Sequence, residues 1–157
     1  MNYIRVNEDN TVLVGGQVAT KKILEDGWVK YEGDIPKLTN DFQHLEMVDG
    51  VLTVIEDTQA KKEAERKEAK KVRDEALQNL TYALPDGSVY QVRPQDVPNF
   101  QLAIQRNQDV KWILSDNNVR LTTVDELKEI LDYGIQEGTR IWDEYTQKLE
   151  EINNQVK

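Results

Sequence analysis

The side chains able to do chemistry are few and stand apart. His44 is the single histidine, in an alternating run where a paired or surface imidazole is expected rather than a ligand or base. There is no cysteine, so disulfides, thiolate metal sites and cysteine nucleophiles drop out together, and zinc is not expected. "SDNNVRL" (115–121) offers oxygen atoms but lacks the spacing and closing glutamate of a calcium loop, and reads as a turn. Gly15-Gly16 is too short to cradle a phosphate, and no serine sits on a nucleophile elbow. Acidic pairs such as Glu25-Asp26 and Glu150-Glu151 fall where solvated charge is expected. The expectation is therefore no catalytic residue, no metal and no cofactor.

Recognition is the chemistry left, and it needs large contact area with a polar handle. The chain holds three tryptophans and six tyrosines, more than one modest core would bury. Tyr90, Trp112, Trp142 and Tyr145, with Arg93, are the candidate partner-binding residues. A second candidate surface is Ala69, Val72, Ala76 and Leu80, spaced by three and four residues. On a helix that stripe would self-associate into a homo-oligomer; the alternative is a solvated helix between two modules.

The elements that must position these residues follow from pattern. "YIRV" (3–6) and "TVLV" (11–14) read as strands joined by the turn Asn7-Glu8-Asp9-Asn10. "VATKKILEDG" (18–27) suits a short helix closed by Gly27, and "WVKYEG" another strand. "FQHLEMVDGVLTVIED" (42–57) is two runs joined by Asp49-Gly50, a strong hairpin signal. Residues 57–80 contain no Gly or Pro and pair opposite charges at helical spacing, as in Glu63 with Lys67 and Glu68 with Lys71. "LTYAL" (80–84) and "VYQVR" (89–93) form a hairpin, and Asp96 is placed to cap a helix with Pro98 in its first turn. Phe100, Ala103 and Ile104 give that helix an apolar face. "VKWIL" and "VRLT" form a further hairpin, and Thr123 with Glu126 makes a capping box. The last helix, 124–153, carries a stripe at 124, 127, 131, 134, 138, 141, 145 and 152. Two members are Gly134 and Gly138, which suit close approach of another segment.

Together these predict an α+β chain. A small β-rich module (1–56) precedes a charged helical linker (57–80), and an α+β hairpin-plus-helix module (81–157) ends in the long amphipathic helix. Charge follows the same division. Residues 1–58 carry 5 basic and 11 acidic side chains, 59–73 carry 7 and 3, 74–122 carry 4 and 6, and 123–157 carry 4 and 9. A net charge of -9 argues against nucleic acid and anionic membranes as partners, and the basic block has no aromatic interleaved. No apolar run of spanning length and no secretory signal is present, so a soluble protein made in a cytoplasm is expected.

Residues from about 82 to 153 resemble a domain of unassigned function found in tail and tail-fibre proteins of tailed bacteriophages, often beside tail-fibre assembly proteins. The resemblance is carried by "LPDGSVYQVRPQD" (84–96), "WILSDNNVRLTTVDEL" (112–127) and "LKEILDYGIQEGTRIWDEYTQKLEEI" (127–152), in that order and spacing. The hairpin at Val48, Gly50 and Leu52, running into a Lys/Glu helix, is similar in style to small phage tail proteins. The resemblance implies an assembly factor or chaperone that binds a tail-fibre or other tail subunit stoichiometrically, in the host cytoplasm. The alternative it implies is a structural part of the tail or baseplate retained in the virion.

Overall fold

The computed structural model describes residues 2–15 and 26–155. The chain is α+β and forms two compact units, residues 1–62 and 63–157. The helix expected over 18–27 falls largely outside the described residues.

In the first unit, β1 (Asn2–Val6) is the centre of a three-stranded antiparallel sheet, between β2 (Val12–Gly15) and β3 (Val29–Tyr31). The β1–β2 turn is built as its composition suggests: Asp9 Oδ1 accepts from Thr11 N at 3.0 Å and Thr11 Oγ1 at 2.6 Å. β4 (Gln43–Val48) and β5 (Val51–Glu56) form the second sheet. Both turn residues have positive φ, Asp49 at 51° and Gly50 at 80°. That is the left-handed pair which lets a two-residue loop follow the twist of its strands. Ile4, Val12, Leu45 and Leu52 are the buried core. The two sheets are joined where Met47 N donates to Asn10 O at 3.1 Å. His44 makes a surface pair with Glu46, Nε2 to Oε1 at 2.8 Å.

Helix α1 (Thr58–Gln78) starts where Asp57 Oδ1 accepts from Ala60 N at 2.9 Å. The boundary between the compact units falls inside this helix, so its residues from Glu63 onward belong with the C-terminal unit rather than forming a separate linker segment. Leu77, at its end, is buried in that unit's core. The expected pairing of Lys71 with Glu68 is replaced by Lys71 with Glu75, at 3.9 Å.

The second unit continues with hairpin β6 (Thr81–Ala83) and β7 (Val89–Gln91), helix α2 (Val97–Gln105), hairpin β8 (Val110–Ile113) and β9 (Val119–Thr122), and helix α3 (Val124–Asn153). The capping box at Thr123 and Glu126 opens α3 as expected. Helix α2 departs from expectation at its start. Asp96 holds the N-cap position but makes no side-chain cap, because its carboxylate is taken by Arg93. The core gathers Leu80, Leu84, Tyr90, Val92, Phe100, Leu127 and Ile130 among others. Gly134 is the close approach foreseen in α3: a Cβ there would stand 2.0 Å from Val92 Cγ1. Gly138 is not; a Cβ there would meet nothing within 4 Å.

Candidate functional site

The nine residues singled out in the sequence separate into two groups. Four turn inward. Tyr90 is fully buried, and its hydroxyl pairs with Thr122 Oγ1 at 2.7 Å while accepting from Arg120 Nη1 at 3.1 Å. With no exposed surface, Tyr90 holds the corner together instead of presenting a binding face. Arg93 is half-buried and locked: its Nε and backbone N reach Asp96 Oδ2 at 2.8 and 3.0 Å, and Nη2 reaches Oδ1 at 3.1 Å. Asp96 in turn raises the guanidinium's already high pKa. Trp112 stacks on the buried Phe100 ring with centroids 4.2 Å apart. Leu80 is a core residue, which removes it from any self-association stripe.

The residue that organises this inward group, Arg120, carries no local signal in the sequence, since two of its partners lie 34 and 30 residues away. Arg120 donates to Asp86 Oδ2 at 2.9 Å and grips Glu126 with two 2.8 Å bonds, in addition to its bond to Tyr90. Glu126 also accepts from Thr123 N at 2.9 Å, the second half of the capping box. The guanidinium and that backbone donor hold the Glu126 carboxyl down at about 2. A bidentate arginine–carboxylate pair of this kind is among the stronger hydrogen-bonded arrangements in proteins. The network ties the β6–β7 turn, β7, β9 and the first turn of α3 together. Only the capping-box half of it had a local signature.

Four of the other five residues converge on one groove. Ala69, Val72 and Ala76 of α1 line an open groove of about 330 Å³ together with Ile141 and Tyr145 of α3. Trp142 lines a neighbouring slot instead, in contact with Tyr145 edge-on. The helices run antiparallel, with the beginning of one fixed to the end of the other. Arg66 Nη2 donates to Asn153 Oδ1 at 2.8 Å, and Gln155 Nε2 donates to Glu65 Oε2 at 2.7 Å. Between those ties and the core, Arg73 projects from α1 onto two rings of α3. Its guanidinium carbon lies 4.5 Å from the centroids of both Trp142 and Tyr145, which meet each other edge-on at 5.8 Å. Cation–π attraction of this geometry contributes about 0.5–2 kcal/mol according to desolvation. The Arg73 side chain is only 12% exposed, whereas Trp142 remains 48% exposed. Three bulky groups thus stand between the helices and keep them from closing over the alanines.

Carboxylates of Glu65, Glu68 and Glu144 and the ammonium of Lys148 edge the groove. A smaller slot of about 180 Å³ lies on the other side of Trp142, beside the open Gly138 and the exposed Ile135. Among the described residues no cluster of three His, Asp or Glu side chains could hold a metal ion, and no helix is long and apolar enough to cross a membrane.

A scan against protein-family models finds no matching model, and searches among curated proteins and among solved structures find no match.

Proposed function

We propose that this chain is a binding module of the tailed-phage tail apparatus, an assembly factor that seats on a tail-fibre or other tail subunit through the α1–α3 groove and acts stoichiometrically in the host cytoplasm. One observation carries the reading: Ala69, Val72 and Ala76 of the alanine stripe and Tyr145 of the aromatic set, residues that stand out in the sequence for two separate reasons, meet in a single open apolar groove whose walls are tied together at one end. Half-exposed aromatic and aliphatic side chains in a preformed concavity are what a protein anchor fills. A factor of this kind covers apolar surface that a fibre subunit exposes before assembly.

The test is quantitative mass spectrometry of infected-cell lysate and purified virions, paired with capture of the fibre subunit by the wild-type chain and by Val72→Glu. Abundance in lysate, absence from virions and loss of capture by Val72→Glu are expected. Copurification at a fixed ratio to tail subunits would instead make the chain a structural tail component. Undiminished capture by Val72→Glu would remove the groove as the site.

A further inference from the structure

We propose that Asp49-Gly50, the turn of the β4–β5 hairpin, is a site of spontaneous aspartate isomerisation with water as the co-reactant, while the same dipeptide at Asp86-Gly87 is protected by its neighbours. The site lies in the first unit and owes nothing to the groove.

The chemistry needs two groups, both within one dipeptide. The backbone nitrogen of the glycine attacks Cγ of the preceding aspartate. A C–N bond forms, a C–O bond breaks, and the nitrogen's proton leaves with the carboxyl hydroxyl as water. The five-membered succinimide is then opened by water. Opening at Cγ restores aspartate; opening at the main-chain carbonyl routes the chain through the side-chain carbon, as isoaspartate. One water leaves and one enters, so the sum is an isomerisation that needs no oxidant or reductant. Glycine favours the attack because no side chain shields its nitrogen. The chain holds three Asp-Gly pairs, at 26–27, 49–50 and 86–87, and the first borders residues outside the described ones.

Both hairpin turns carry a left-handed glycine, Gly50 at φ 80° and Gly87 at φ 87°, and a Cβ at either would meet nothing within 4 Å. Space does not distinguish them; bonding does. At 86–87 the nucleophile and the electrophile are both engaged. Gly87 N donates to Leu84 O at 2.9 Å. Asp86 Oδ1 accepts from Ser88 N and Oδ2 from Arg120 Nε, each at 2.9 Å. Ser88 first, and Arg120 after it, hold the Asp86 carboxyl below its usual range, and a carboxylate kept ionised has no hydroxyl to lose. At 49–50 neither group is tied. Among the described residues Gly50 N has no acceptor and the Asp49 carboxylate has no hydrogen-bond or ion-pair partner, and both residues are exposed. Freeing both groups at 86–87 before attack raises the barrier there, enough for a rate at least about tenfold lower.

The location gives the reaction a structural consequence. Isoaspartate adds one methylene to the main chain, in a two-residue loop whose φ values are both positive. The register set by that loop pairs Leu45 with Val54 and Met47 with Leu52. Leu45 and Leu52 belong to the buried core of the first unit. One event at an exposed turn therefore loosens that core.

The test uses the full chain, incubated for weeks in warm neutral buffer and, in parallel, in concentrated urea. Peptide mapping with electron-transfer fragmentation, which tells isoaspartate from aspartate, follows each site. In the folded chain isoaspartate is expected at Asp49 at least about tenfold faster than at Asp86. In urea, where both turns are undone, the two rates should converge. Hydrogen exchange of the aged folded chain should show a fast-exchanging fraction in β4 and β5 that matches the isoaspartate fraction, with the second unit unchanged. Equal rates at the two sites in the folded chain, or no isoaspartate at Asp49, would overturn the proposal. A preference for Asp49 that persists undiminished in urea would overturn it too, tracing the difference to flanking residues instead of the fold. Exchange in β4 and β5 that does not follow isoaspartate content would overturn the structural consequence.

Discussion

Arg73 and Arg120 lie in the same compact unit, and each is held by three side chains, yet they close two very different regions. Arg120 meets Asp86, Tyr90 and Glu126, so charge and hydrogen bonds are matched and the corner around it is sealed. Arg73 meets two aromatic faces and a neighbouring carboxylate. Its stack fills space without forming a floor, and one of its rings stays half in solvent. A satisfied arginine thus makes a joint in one place and a prop in the other. The difference lies in whether its partners come from several elements folding inward or from one facing helix and the arginine's own neighbour Asp74.

The widest separation between the two regions should appear in stability. Phe100→Ala, beneath Trp112 in the sealed corner, should cost about 3–5 kcal/mol in urea unfolding, as deletion of a fully buried ring does. Val72→Ser in the groove should change stability by less than about 0.5 kcal/mol, because 56% of Val72 is exposed. A comparable loss at both positions would mean the groove is part of the packed core.

The arginines themselves come next. Arg120→Gln should lose about 2–3 kcal/mol, since it leaves Glu126 and the Tyr90 hydroxyl short of a partner. Arg73→Gln should lose about 1 kcal/mol, the scale of a partly desolvated cation–π contact. Parallel thermal melts of the two variants check the ranking.

Acid should act on the corner. Glu126 is held at about 2 in the folded chain against an ordinary value of 4.5. As pH falls through 4.5 the unfolded chain takes up a proton there before the folded one does. Stability from this group is therefore complete above about pH 5 and drains away between 4.5 and 2, a contribution on the order of 2 kcal/mol for a side chain that is partly exposed. Glu126→Gln should flatten that acid limb in pH-dependent urea titrations.

The finest test uses two glycines one turn apart on α3. Gly134→Ala gains helix propensity but drives a methyl into Val92, whose branched side chain is stiff and buried, for a net loss of about 1–2 kcal/mol. Val92→Ala in the same chain should recover part of it. Gly138→Ala has open space and should stabilise by up to about 1 kcal/mol. Equal effects at the two glycines would show that the corner does not grip α3.

Features written in local pattern were legible from the residues alone. The Asp49-Gly50 turn, the Thr123–Glu126 box and the full extent of α3 all depend on neighbours within a few positions. Asp96 shows how such a signal is overridden: it occupies a cap position, but Arg93, three residues earlier, offers its carboxylate a bidentate partner and a backbone donor. The Arg120 hub had no such signature, because Asp86 and Tyr90 lie 34 and 30 residues away from it in the chain. The candidate site was half visible. Aromatic and alanine stripes pointed to Trp142, Tyr145, Ala69, Val72 and Ala76, but their meeting depends on two helices being tied across 87 and 90 residues of chain. By the same limit Tyr90 and Trp112, aromatic like Trp142, could not be told apart from it until the hairpins closed.

The joint at Arg120 also has a consequence in time. Its partners sit on the β6–β7 turn, on β7 and on the first turn of α3, so the set is complete only when all three segments have docked. Interactions of that kind form late and resist unfolding more than they hasten folding. The corner should behave as a latch, releasing slowly once shut, with the rate of escape from the native state set there rather than at the helix pair.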